Sequence, residues 1–131
     1  HKVITHPSVL TIRIDESLYF ANARYLEDYL YDRVVGCKNL KHVVLMCSAV
    51  NEIDLSALES LEAINHRLEE MGISLHLSEV KGPVMDRLKK THFLDELTGE
   101  VFLSQFEAVS KLTDGQVAET PPSTEPKIKL V

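Results

Sequence analysis

The sequence predicts an α/β domain: a mixed, mostly parallel sheet of four to five strands, with about four helices mainly on one face. Three observations carry that reading. Strand-like and helix-like segments alternate along most of the 131 residues, which demands right-handed crossovers and a largely parallel sheet. The run Val43-Val44-Leu45-Met46 is apolar on both faces, as a central strand covered by helices must be. Leu55 to Met71 holds the cleanest helical stripe, with Leu58, Leu61, Ile64, Leu68 and Met71 on one side and Glu59, Glu62, Arg67, Glu69 and Glu70 on the other.

The elements follow in order. Lys2 to Thr5 carries a weak strand signal, and Pro7 separates it from Val9 to Ile14, where Leu10, Ile12 and Ile14 alternate with Val9, Thr11 and Arg13. A turn at Asp15-Glu16-Ser17 leads to a short strand over Leu18 to Phe20. Asn22 is a good helix cap, and Leu26, Tyr29, Leu30 and Val34 form the stripe of a helix that stops at Gly36. His42 to Cys47 is the central strand. Gly72 ends the Leu55 helix, and Ile73, Leu75 and Leu77 alternate with Ser74, His76 and Ser78 in the next strand. Gly82-Pro83 opens a helix running to about Lys90, with Pro where its missing N–H is not needed. Val101 to Leu103 is a short last strand. Ser104 and Glu107 have capping-box spacing ahead of Phe106, Val109 and Leu112, a final amphipathic helix.

These elements make one domain over residues 1–113. Residues 114–131 turn to Pro, Thr, Glu and Lys, and read as a flexible tail with too little apolar surface to offset its ordering entropy. Removing Asp114 to Val131 is expected to change stability by less than about 0.5 kcal/mol, measured by denaturant unfolding of the truncated chain. A large loss of stability would mean that the tail docks on the domain.

A formal charge of -6 argues against nucleic acid as a partner, since phosphate neutralisation needs clustered Lys and Arg. No apolar run approaches the roughly 20 residues that span a bilayer, so this stretch is expected not to insert into a membrane itself. The opening HKVITHP has no initiator Met and reads as a piece cut from something longer. Cys37 and Cys47 read as buried reduced thiols.

Signals for chemistry are sparse. The six histidines have no ligand spacing, and His66 and His76 fall on polar positions, so they read as solvated side chains and no metal is expected. Neither GxGxxG, GxxxxGK[ST] nor GxSxG occurs, and Ser48 and Ser56 have no base that the sequence puts beside them. The expectation is therefore no cofactor and no enzyme. The distinctive stretch is Val50-Asn51-Glu52-Ile53-Asp54-Leu55-Ser56-Ala57-Leu58, which joins the central strand to the best helix. Asp54 or Ser56 can cap that helix, and Ser56 with Glu59 has capping-box spacing. A hydroxyl at a helix N-terminus is also a good place to hold a phosphate, because free N–H groups and the helix dipole favour negative charge there.

The run VVLMCSAVNEIDLSALESLEAI resembles the signature of STAS domains, a hydrophobic strand, a loop ending in Asp-x-Ser and a Leu-rich helix. STAS domains occur in bacterial anti-sigma factor antagonists and at the C-terminus of SulP (sulfate permease-type) anion transporters. The resemblance covers roughly residues 3 to 113 and implies the STAS-like, anti-sigma factor antagonist-like version of the α/β fold. In the antagonists the loop usually reads Asp-Ser-Ser-Gly, and its second Ser is phosphorylated. Ser56 falls on that position and Asp54 on the Asp, whereas Leu55 and Ala57 replace the first Ser and the Gly. The resemblance thus makes Ser56 the candidate regulatory phosphorylation site, supported by Asp54, Leu55 and Ala57. The stretch THPSVLTIRIDESLYFANARYLEDYL resembles the opening of SulP STAS domains. It implies a regulatory module on the cytoplasmic side of the inner (plasma) membrane, attached to a transporter of sulfate or a related inorganic or organic anion. Its partners would be the membrane domain of the same transporter and a cytosolic regulatory protein or kinase. The alternative is a free-standing anti-sigma factor antagonist controlled by serine phosphorylation.

Overall fold

The computed structural model describes residues 5–113 and Lys127–Ile128. The strands are β1 (Thr5–His6), β2 (Val9–Ile14), β3 (His42–Met46), β4 (Ser74–Ser78), β5 (Val101–Phe102) and β6 (Lys127–Ile128). The helices are α1 (Phe20–Val35), α2 (Leu55–Glu70), α3 (Gly82–Lys89), α4 (Phe93–Glu96) and α5 (Gln105–Leu112). The sheet runs β1-β2-β3-β4-β5, with β6 alongside β2. β1 is antiparallel to β2, and every other pairing is parallel. The mixed, mostly parallel sheet expected from the alternating elements is thus present.

Its centre is β3, where Val43, Val44 and Leu45 are fully buried. The pleat sends the two faces of the sheet to different cores. Leu10, Ile12, Ile14, Val43, Leu45, Leu75 and Leu77 pack with Leu26 and Leu30 of α1, with Leu58, Leu61, Ile64 and Leu68 of α2, and with Val84, Leu88 and Phe93. The opposite face holds a smaller cluster of Val9, Val44, Phe102 and Ala108, backed by Leu112. Helices α1 to α4 therefore serve one core and α5 the other, which gives the predicted one-sided bias.

A buried polar chain seats α5. Gln105 Nε2 donates to Thr11 Oγ1 at 3.0 Å, and Ser78 Oγ donates to Gln105 Oε1 at 2.6 Å. With both ends of the Gln105 amide satisfied, a buried polar side chain is tolerated and fixes the register of helix on sheet. Ser104 accepts from Glu107 N at 3.0 Å, so its predicted capping role is realised.

Several local expectations shift. Leu18 to Phe20 is not a strand: Leu18 makes a single parallel bridge to Ile53, and Phe20 already opens α1. Asn22 is not the cap but the third helical residue; its Oδ1 accepts from Tyr19 N at 2.7 Å, and its Nδ2 donates to Ser17 O at 2.7 Å. Reciprocal bonding from inside the first turn does the same work as a cap placed before it. The short α4 was missed because four residues are too few to display a helical period; its one signal was Phe93, which is fully buried. Of the strand expected over Lys2 to Thr5, residues 2–4 lie outside the described residues. So does the expected tail, apart from Lys127–Ile128, whose backbone pairs with β2.

His76 is the clearest correction. Its expected solvated position is in fact 3% exposed, because Gly99, Glu100 and Phe102 close over that face of β4. Glu100 N donates to His76 Nδ1 at 3.0 Å, and His76 Nε2 lies 3.0 Å from His42 Nδ1. Cys47 is buried as expected, and burial pushes its thiol up to about 12, while Cys37 is half-buried; both are free.

Candidate functional site: the loop between the central strand and the second helix

Parallel β2, β3 and β4 bring their following loops to one end of the sheet, where open α/β sheets offer their binding crevices. The middle loop, Cys47 to Asp54, is tied down on both sides. Cys47 N donates to Ser78 O at 2.8 Å and Val50 N to Cys47 O at 3.0 Å. Leu18 N donates to Glu52 O at 2.9 Å and Asp54 N to Leu18 O at 3.1 Å. Ser17 Oγ accepts from Asn51 N at 3.1 Å and Glu52 N at 3.0 Å. Two side-chain bonds complete the frame: Tyr19 Oη donates to Glu52 Oε2 at 2.7 Å, and Lys81 Nζ donates to Asn51 Oδ1 at 2.6 Å. The hydrogen bond to the Glu52 carboxylate raises Tyr19 above the ordinary phenol value, because it stabilises the protonated form.

The four predicted site residues divide the work. Asp54 is the N-cap of α2, and its Oδ1 accepts from Ala57 N at 2.7 Å. Ser56 is therefore not the cap. It is the second helical residue, it is exposed, and its hydroxyl has no partner among the described residues. Asp54 reaches the free N–H groups first because it stands immediately before the helix, where an extended backbone aims its side chain back at them. Leu55 is 59% exposed beside Ser56, whereas Ala57 is fully buried. The small side chain at residue 57 lets the first turn of α2 sit down on the core.

Ser17, Tyr19 and Lys81 were not singled out by the sequence reading, although all three hold the candidate loop. Ser17 and Tyr19 both stand in the stretch THPSVLTIRIDESLYFANARYLEDYL noted for its resemblance, and Ser17 in the expected turn, but no local signal aims either side chain at the loop. Nothing local marks Lys81, which reaches the loop from the connection after β4.

Among the described residues no group of three or more His, Cys, Asp or Glu side chains could hold a metal ion. The His42–His76 pair is no exception. Because His76 Nδ1 accepts an amide proton, its own proton sits on Nε2 and is directed at His42, which leaves no lone pair there for a metal. No helix among the described residues is long and apolar enough to cross a membrane.

Comparison with known proteins fits this frame. Residues 2–108 match the family model of the STAS domain. The chain is 33% identical over 119 residues to Sulfate transporter 3.2 of Arabidopsis thaliana, covering 83% of this chain and 18% of that protein. With Sulfate transporter 1.3 of the same plant the identity is 31% over 122 residues, covering 82% and 19%. The chain thus spans about a fifth of the length of these curated relatives.

Among solved structures it resembles the SulP transporter STAS domain of Vibrio cholerae, at 21% identity and TM-score 0.68, covering 88% of this chain and 89% of that one. It also resembles a candidate anti-sigma factor antagonist of Thermotoga maritima, at 19% identity and TM-score 0.72, covering 85% and 92%. The murine Solute Carrier 26 family member A9 anion transporter in its inward-facing state gives 19% identity and TM-score 0.71 over 82% of this chain and 18% of that one. At these identities the structural likeness is one of fold.

Proposed function

The chain belongs to the STAS domain family, and from that premise we propose that it is the cytoplasmic regulatory and interaction module of a SulP-type transporter of sulfate or a related anion. The reading is supported by the match to sulfate transporters over 83% of this chain but only 18% of theirs, the proportion of an appended module. In this role the domain performs no catalysis. It meets the membrane domain of its own transporter and a cytosolic regulatory protein or kinase.

The switch in this proposal is Ser56, and the observation that carries it is the division of labour at the start of α2. Asp54 supplies the cap, so the exposed Ser56 hydroxyl has no structural duty to lose. Phosphorylation would add about -1.5 to -2 units of charge. The helix N-terminus favours that charge by about 0.3–1 kcal/mol. Asp54 and Glu59, close in sequence, oppose it. The terms are of similar size, so the modification acts on binding and leaves folding nearly unchanged: a dianion beside exposed Leu55 repels an acidic or apolar partner surface and attracts an Arg-rich one.

The test compares wild type, Ser56→Ala and Ser56→Asp. Unfolding free energies should agree within about 0.5 kcal/mol. Transport by the full-length protein should separate the Asp variant from the other two. If neither substitution alters transport, Ser56 is only a surface residue of α2. The fold likeness to the Thermotoga maritima protein keeps a second reading, a free-standing anti-sigma factor antagonist, in view. The upstream reading frame separates the two, since a transporter requires several apolar segments of roughly 20 residues.

A further inference from the structure

Leu103 and Phe106 are the most exposed large apolar side chains among the described residues, at 89% and 80%. They stand three residues apart where β5 passes into α5. An apolar residue just before a helix cap ordinarily packs against the fourth helical residue. Here that residue is Ala108, fully buried with Val9, Val44 and Phe102, and Leu103 stays outside. Neither exposed side chain therefore adds to the core.

The backbone beneath the pair is fixed. Phe102, Gln105 and Ala108, which flank them in sequence, are buried. Glu79 N donates to Phe102 O at 3.1 Å, and Glu79 Oε2 accepts from Gln105 N at 2.9 Å. Glu79 keeps a left-handed conformation (φ 56°), which non-glycine residues hold only where neighbouring contacts impose it. Glu107 Oε1 accepts from Leu103 N at 3.3 Å. Two bulky apolar groups on a rigid frame lose little entropy on meeting a partner, which suits them to a contact surface.

We propose that Leu103 and Phe106 are a docking knob for the cytoplasmic face of the transporter's own membrane domain, where they enter an apolar pocket rimmed by Lys or Arg. The proposal rests on the transporter reading above. Charge selects the partner. Glu79 and Glu107 stand at the entrance to α5, each bonded to a backbone N–H of the turn. The cations nearest to them in sequence are committed elsewhere, Lys111 to Glu100 at 2.9 Å and Lys81 to Asn51 at 2.6 Å. An acidic rim on a chain of net charge -6 repels a second copy and an anionic lipid surface alike. Cytoplasmic loops of membrane proteins carry an excess of Lys and Arg, the complement of that rim.

A photo-crosslinking benzoylphenylalanine in place of Phe106 in the full-length protein tests this, with the same group in place of Val35 as control. Val35 is as exposed, at 79%, but closes α1 at the opposite end of the sheet. Crosslinks from residue 106 should reach a Lys- or Arg-bearing cytoplasmic segment of the membrane domain, and those from residue 35 should not. Leu103→Ser should cut the yield about tenfold, the effect of losing one buried anchor, and leave thermal unfolding of the 131-residue chain unchanged. Glu107→Gln, which keeps the acceptor for Leu103 N and drops the charge, should cut it about threefold. Equal crosslinking from residues 35 and 106, or an unchanged yield in Leu103→Ser, overturns the assignment of this surface. So do products with a second copy, with a separate protein or with residues 114–131. Those results leave the transporter reading standing, whereas a full-length frame without membrane-spanning segments overturns both.

Discussion

Gly99→Ala is expected to destabilise the domain by about 3 kcal/mol, the upper range for forcing extra volume into a packed interior. A Cβ at residue 99 would run into the Leu75 carbonyl and the His76 ring, well inside van der Waals contact. Neither can yield. The Leu75 carbonyl belongs to β4 and accepts from Gly99 N at 3.0 Å. The imidazole is wedged between His42 and Phe102, with ring centroids 5.0 and 5.6 Å away. Thr98, Gly99 and Glu100 are fastened in succession to β4, through Thr98 Oγ1 to Leu75 N, Gly99 N to Leu75 O, and Glu100 N to His76 Nδ1. Making room means unfastening them, which strands buried donors. Denaturant unfolding should show the loss, with Gly82→Ala as the control, because nothing lies within 4 Å of a Cβ there. A Gly99→Ala protein within about 0.5 kcal/mol of wild type would show that the β4–β5 connection is soft.

The second large effect is a dependence on pH. His76 is lowered from 6.5 to about 4, chiefly by burial and further by His42 and Lys111, while Glu100 acts in the opposite direction. His42 is lowered as well, by burial and by Lys41. A proton added to His76 must go on Nδ1, which already accepts from Glu100 N, so protonation breaks that bond. The folded value lies below the unfolded one, so the unfolded chain takes up the proton first as pH falls. The stability from keeping His76 neutral is therefore complete above about pH 6.5 and is lost as pH falls toward 4. The gap is worth about 3 kcal/mol. Unfolding free energies between pH 7 and pH 4 should fall more steeply for wild type than for His76→Gln, whose amide can still accept from Glu100 and donate to His42 without titrating. Parallel curves would remove His76 as the cause. Nitrogen chemical shifts should report a neutral ring protonated on Nε2 down to about pH 5.

Much of this was legible in one dimension. The apolar run at β3, the stripe of α2, Gly72 in the left-handed conformation just after it and the Ser104 cap are all local. Each follows from a period or a backbone preference that a few neighbouring residues express by themselves. The start of α2 was half legible: Asp54 and Ser56 were both visible as polar residues at a helix entrance. Which of them caps, and which stays free, depended on where the chain turns helical, and that is fixed by the bridge from Leu18 to Ile53.

What the sequence by itself determined is the order of elements, the central strand and the position of the α2 loop. Only the tertiary structure decided what surrounds them. Ser17, Tyr19 and Lys81 reach the loop from connections 30 to 35 residues away in the chain. His76 alternates with apolar neighbours as a solvent-facing residue would, yet it is buried because β5 and its preceding turn fold over that face. Periodicity tells a side chain which face of its own strand it occupies. Whether that face meets water or another layer is set by strand order and by what the chain later lays across it, and those contacts leave no local trace.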